Sequence, residues 1–329
     1  MKMLKATIAA LATAGFAFTA HAEITLHGAS QFGHGHPFNT ALETFEKLVK
    51  EYYKGPEKLN FVLHENSELG LEKDYVAYMN QGISVDYAIF SPSHASTFSK
   101  KIAIMDMPFL YRSIDQWSKV LSNQEAMQPL IADLYKKADI LMVGFAGGGT
   151  RELIVNRPIT NMEELKGLPI RVMGAPIQTR MFEAIGAAPT VIAYSEVYNA
   201  IQTGVIDAAE NEAMGIKTMK FYEVGPEIAL TDHAITIRPL GVSGKTFRRL
   251  PKDLQEAIVK AGGPAGKAGR DQEVADSAQV MKDMEAKGWL HTHVFTEKDK
   301  LLEAANPVRK AFAEEVGAAD FLALVDATK

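Results

Sequence analysis

Short apolar runs of strand length alternate with stretches whose apolar residues recur at helical spacing, and this order constrains the fold more than any other feature. After Ile24-Thr25-Leu26-His27, the residues Phe38, Leu42, Phe45, Leu48, Val49 and Tyr52 mark one face of a helix with Pro37 in its first turn. Phe61-Val62-Leu63-His64 reads as the next strand. Leu71, Tyr75, Tyr78 and Met79 mark a second helix ended by Gly82, and Val85 to Phe90 is a strand feeding the loop Ser91-Pro92-Ser93-His94. The order recurs in Ile170-Arg171-Val172, in a helix of Tyr198 and Ile201 ending at Gly204, and in Val205-Ile206-Asp207, with Asn211 beyond that strand. From Pro251 to Trp289 the pattern is helical, interrupted at Gly262-Gly263-Pro264, and Asp299 to Ala327 adds further helix. The expectation is an α/β fold with mixed, mostly parallel sheets, whose ligand lies beyond the carboxyl ends of strands.

Lys2 and Lys5, the apolar run Ala6 to Phe18 and the small-residue site Ala20-His21-Ala22 read as a signal peptide cleaved after Ala22. The run is too short to span a membrane, and no later segment approaches the ~20 apolar residues a span needs. Cysteine is absent, which removes disulfides, thiolate metal sites and cysteine nucleophiles, so stability must come from packing. Removing Lys2 and Lys5 takes the formal charge from −5 to −7, against nucleic acid or an anionic membrane as partner.

Asn80-Gln81-Gly82-Ile83-Ser84-Val85-Asp86 and Ile201-Gln202-Thr203-Gly204-Val205-Ile206-Asp207 share one pattern: helix end, glycine, apolar pair, aspartate. This echo supports two similar lobes. In His36-Pro37, Glu68-Leu69-Gly70, Met107-Pro108-Phe109, Lys166-Gly167-Leu168-Pro169-Ile170-Arg171, and Ser195-Glu196-Val197-Tyr198 through Gln202-Thr203-Gly204-Val205-Ile206-Asp207 to Glu210-Asn211, the chain resembles the solute-binding proteins of tripartite ATP-independent periplasmic (TRAP) transporters. The resemblance covers essentially the whole chain beyond Ala22. Asp207-Ala208 and Asn211-Glu212 depart from the family's usual Asp-Gly and Glu-Asn-Pro.

The resemblance implies a two-lobe periplasmic-binding-protein fold with crossing hinge strands and a long helix spanning both lobes. Lobe I is then 23–148 plus 237–276, and lobe II 149–236 plus 277–329. It implies closure on an organic acid anion delivered to a TRAP permease by a monomeric, non-catalytic protein without cofactor or metal. Arg171 matches the family arginine that forks the ligand carboxylate, and Arg151, after Gly147-Gly148-Gly149-Thr150, matches a second, more variable one. Asn211 falls where an amide contacts the ligand, Tyr194 where an aromatic flanks it, and His233 where a histidine bridges through water. In lobe I, His34 and His36 and then Ser91, Ser93 and His94 lie in loops expected to face the cleft, Ser91 foremost. Two cationic forks favour a ligand with more than one anionic or hydroxyl-rich end, with a C4-dicarboxylate or a related hydroxy or sugar acid leading. An organosulfonate or aromatic acid suits the same donors, and a sensor kinase is an alternative client.

Three other constellations are weaker. His34-x-His36 with His27 hints at metal transport, but two histidines around a glycine lack a carboxylate partner in sequence. Pro239 to Thr246, PLGVSGKT, imitates a phosphate loop but has proline where the first glycine is required. A Ser-His hydrolase lacks the G-x-S-x-G elbow.

Overall fold

The computed structural model describes residues 23–329; the expected signal peptide and its cleavage point lie outside the described residues. The strands are β1 (Glu23–Ala29), β2 (Lys58–His64), β3 (Tyr87–Ile89), β4 (Ile140–Val155), β5 (Pro169–Val172), β6 (Ala188–Val191), β7 (Ala208–Glu212), β8 (Glu227–Ser243) and β9 (His291–Val294). They form one mixed sheet in the order β2-β1-β3-β8-β4-β7-β5-β6, with β9 on β8. Pairing is parallel at β1–β2, β1–β3, β5–β6, β5–β7 and β8–β9, and antiparallel wherever β4 joins β7 or β8 joins β3 or β4.

Two long strands join the halves of this sheet. β8 pairs with β3 through Leu240–Val242 near one end, and β4 pairs with β7 through Arg151–Val155 at the other, so each passes from one half to the other. β4 therefore runs from Ile140 to Val155 through the glycine run. Gly147 and Gly148 have φ of +109° and +110°, and a Cβ on Gly147 would lie 2.2 Å from the Thr236 carbonyl. The β4–β8 register shifts there, between Gly147 and Thr150. These glycines form a bulge inside a strand, a conformation L side chains rarely adopt.

The interruption expected at Gly262-Gly263-Pro264 is also absent: one helix runs unbroken over Lys252–Ala286 with Pro264 inside it. A Cβ on Gly262 would lie 2.2 Å from the Val143 carbonyl, and one on Gly266 would lie 2.5 Å from that of Phe145. The glycines let this helix lie directly on β4 rather than ending it. Its other flank packs on the first helix, Pro37–Tyr52, whose Phe38, Leu42, Phe45 and Val49 are buried with Tyr87, Leu240 and Ile258. In the other half, Ile154, Val197, Ile206, Phe221, Ile228 and Met284 form a separate core. A third cluster, from Tyr75, Phe90 and Trp117 to Ile170, Phe182 and Phe312, joins the two.

The C-terminal segment does not belong wholly to the second half. Helix Lys298–Glu315 packs on Pro176–Ala184, but after Gly317 the last helix, Ala319–Ala327, packs on Ile114–Ser122. Gln116 Nε2 donates to the Val325 and Thr328 carbonyls at 2.8 and 2.9 Å. The end of the segment expected in lobe II, 277–329, thus touches the first half.

Adjacent glycines of the long helix should respond oppositely to alanine. Gly262→Ala should cost about 1–3 kcal/mol in chemical denaturation through overpacking. Gly263→Ala, with nothing within 4 Å of its Cβ, should be neutral or stabilising by up to about 1 kcal/mol through helix propensity. Equal effects of the two would contradict close helix–strand packing as the reason for the glycines.

Candidate functional site

Arg171 lies on β5, where strand alternation turns it into the space between the halves, and it is 3% exposed. Its Nε donates to the Ile192 carbonyl at 3.0 Å and its guanidinium lies 5.6 Å from the centre of the Tyr194 ring. Among the described residues, neither Nη group has a hydrogen-bond partner. Burial lowers its pKa, with the like charge of Arg151 adding to this and Glu210 opposing it. A guanidinium nonetheless keeps its proton at neutral pH.

Arg151, on β4, is in a different state. Its Nε donates to one Glu210 carboxylate oxygen, its Nη2 to the other and to the Glu210 carbonyl, both at 2.9 Å, and its Nη1 to Glu212 at 2.7 Å. Burial works against its charge, but these two glutamates more than offset it and raise its pKa. Its fork lines the cavity yet is already filled. The second cationic fork expected from the sequence is occupied by these two carboxylates. Asn211 stands inside β7 rather than beyond the strand, because that strand begins one residue after Asp207. Its Nδ2 donates to the Tyr194 hydroxyl at 2.8 Å, bracing the aromatic wall beside Arg171.

The facing wall is built on Glu72, fully buried in the first turn of helix Glu72–Gln81. One of its oxygens accepts from the Ser91 N–H at 2.7 Å and meets His94 Nδ1 at 2.6 Å. Arg238, on β8, places Nε 3.7 Å from the other oxygen and Nη1 4.0 Å from Asp106, over the face of Phe38. Burial would raise the Glu72 pKa, but Arg238, His94 and the Ser91 N–H hold it at about 2. Arg151 and His233 do the same for Glu210, also at about 2.

A cavity between the walls is lined by Arg171, Arg151, Asn211 and Tyr194 on one side and by Gln31, Phe32, His94 and Arg238 on the other. Its volume is about 10 Å³, and a neighbouring space of about 320 Å³, which shares Gln31, His94, Arg171 and Tyr194 with it, extends toward Lys73, Thr97 and Val191. The halves also touch directly: Gln178 Nε2 donates to the Asp106 carbonyl at 2.7 Å.

Of the expected contacts, Arg171, Arg151, Asn211, Tyr194 and His94 thus meet at one cavity. The others do not line it. His34 is corrected: its side chain is 84% exposed and pairs with Glu43. His36 is buried as the cap of the first helix, stacked on Phe32, and burial with Arg238 lowers its pKa to about 3. Ser93 is buried, its N–H bonded to Ser91 Oγ. Ser91 Oγ donates to Asp106, so no histidine activates it and the hydrolase arrangement is not assembled. His233 bonds Thr231 at 2.8 Å and lies 3.4 Å from Glu210, acting behind Arg151 rather than at the cavity. Arg238, Gln31, Phe32 and Met173 were missed. For Arg238 a signal existed: it is the one charge in the run Ala234-Ile235-Thr236-Ile237-Arg238-Pro239-Leu240.

Residues 28–315 match the family of bacterial extracellular solute-binding proteins, family 7. The chain belongs to that family. It is 49% identical over 319 residues to a solute-binding protein of Sulfitobacter sp. (strain NAS-14.1), covering 97% of this chain and 96% of the relative. A solved TRAP periplasmic solute-binding protein from Sulfitobacter, holding α-D-taluronate, superposes with a TM-score of 0.89 at 48% identity over 92% of this chain and 97% of that one. A second from the same source, with β-D-galacturonate, gives 0.84 at 25% identity over 92% and 99%. The family resemblance and the two-lobe α/β fold read from the sequence are borne out. Among the described residues no helix is long and apolar enough to cross a membrane.

The buried acids set opposing pH dependences. Glu72 and Glu210, held at about 2 against an ordinary 4.5, contribute stability above 4.5 that is lost as pH falls through 2. Burial, aided by Asp232, pushes Glu152 up to about 9, and burial with Glu212 pushes Glu273 up to about 8. Their contribution is present below 4.5 and is lost as pH rises through 8 to 9. The unfolding midpoint should therefore peak at about pH 5, and Glu152→Gln should flatten the decline above it. A midpoint climbing steadily from about pH 5 to 8 would contradict this assignment.

Proposed function

We propose that the protein captures a monoanionic sugar acid, a hexuronate or close relative, in the periplasm and delivers it to a TRAP permease. The observation that carries this reading is the state of Arg171: a buried cation whose two Nη groups have no partner among the described residues, beside two other arginines already matched to carboxylates. A single planar carboxylate fits that fork, with a charge-assisted pair worth about 1.5–3 kcal/mol. The relative holding α-D-taluronate, at 48% identity, supports a hydroxylated monoacid. A C4-dicarboxylate asks for a second free cation, and Glu210 and Glu212 occupy the fork of Arg151.

In this reading lobe I is 23–148 with 237–276, and lobe II is 149–236 with the segment after 276 up to Gly317. The glycine bulge of β4 and its neighbour β8 form the hinge, and the ligand supplies the differential affinity that favours the closed state. The protein acts as a monomer, without catalysis or cofactor, after cleavage behind Ala22.

Thermal unfolding of the ligand-stripped mature protein tests the class. Ligand at about 100 times its Kd adds about 2.7 kcal/mol, a clear rise in midpoint. D-Taluronate or D-galacturonate should raise it, whereas succinate, galactarate, benzoate and an alkylsulfonate should not. Arg171→Lys should abolish the rise, because a point charge does not replace the fork. Stabilisation by succinate or galactarate equal to that by a hexuronate would overturn the monoacid assignment.

A further inference from the structure

We propose that Arg238 and His94, both anchored on the buried Glu72, are the specificity-determining residues that read a ligand hydroxyl. They set a preference for polyhydroxylated acids over deoxy and second-carboxylate analogues. This rests on the reading of the cavity as an acid-anion site.

Arg238 is a buried cation whose charge is met on its far side by Glu72 and Asp106, at 3.7 and 4.0 Å. Neither approach is a hydrogen bond. Its Nη1 donates to the Ile237 carbonyl at 3.0 Å, while Nε and the facing Glu72 Oε1 are buried without partners. Nη2 has no partner among the described residues. The residue thus brings N–H donors to the cavity wall with its positive charge already balanced, which suits a neutral hydroxyl rather than an anion.

His94 complements it. A carboxylate only accepts, so the 2.6 Å contact with Glu72 fixes the proton of the neutral ring on Nδ1. In that tautomer Nε2 is an acceptor, and His94 lines both the cavity and the neighbouring space. A donor and an acceptor on one wall match a hydroxyl, which is both. A methylene would leave them unpaired, and a second carboxylate would meet the Nε2 lone pair with Glu72 and Asp106 behind it. Sites built to bond a hydroxyl reject analogues lacking it far more strongly than apolar pockets reject a missing methylene.

The test is calorimetric titration of the stripped mature protein with D-galacturonate and its monodeoxy analogues. The wild type should bind at least one monodeoxy analogue about 100-fold more weakly or worse. His94→Asn keeps a donor for Glu72 but removes the Nε2 acceptor, and Arg238→Lys keeps the charge but removes the fork. In each, D-galacturonate affinity should fall about 10- to 100-fold, while that discriminated analogue changes by less than about threefold. Equal losses for both ligands, or no discrimination among deoxy analogues by the wild type, would overturn the proposal while leaving the acid-binding function standing. Absence of any hexuronate binding by the wild type would overturn both. Circular dichroism of each variant checks that it is folded, and Arg238→Gln is avoided because it leaves Glu72 and Asp106 without their cation.

Discussion

The guanidinium of Arg171 is the interaction on which the site depends. It is buried, it is charged, and its two Nη groups have no acceptor among the described residues. Holding such a charge away from water costs several kcal/mol unless it is paired. In an open cleft water can solvate it; in a closed cleft only an anion can. Closing without ligand is therefore penalised, and closing on a carboxylate is favoured. In the proposed function this one residue couples recognition to lobe closure, with no need for a separate trigger.

The rest of the polar interior keeps that charge singular. Arg151 is saturated by Glu210 and Glu212, and Arg238 is balanced by Glu72 and Asp106. Each of these arginines faces two carboxylates, so neither offers a free cation to the cavity. His233 stands behind Glu210 and Ser91 bridges Glu72 and Asp106, so residues that do not touch the cavity still fix its charge. Arg151 stands on β4 and Arg238 on β8, the two strands that also join the halves of the sheet, so both cations are set by the same framework.

Much of this was legible in the sequence, and the failures have a common physical origin. Strand and helix periodicity places β1, β2, β5 and the first helix correctly, because each buries one face and local pattern reports that directly. Arg171 was legible because it stands on a short apolar strand within the Lys166-Gly167-Leu168-Pro169-Ile170-Arg171 motif that carries the family resemblance. Glycine misled twice. At Gly262-Gly263-Pro264 the sequence reads as an interruption, and the run Gly147-Gly148-Gly149 conceals how far its strand extends, yet in each case the glycine admits another backbone at close range or turns a bulge, and the element continues. That distinction depends on what packs opposite, which no local pattern contains. The filling of Arg151 was hidden for the same reason. Glu210 and Glu212 lie 59 and 61 positions away, and only the β4–β7 pairing brings them to it.

The most direct test of the central claim is a crystal structure of the mature protein with D-galacturonate bound. The account predicts both carboxylate oxygens within about 3 Å of the two Nη atoms of Arg171, with Arg151 still held by Glu210 and Glu212. A carboxylate seated on Arg151 with those glutamates displaced, or a ligand bound without touching Arg171, would contradict it.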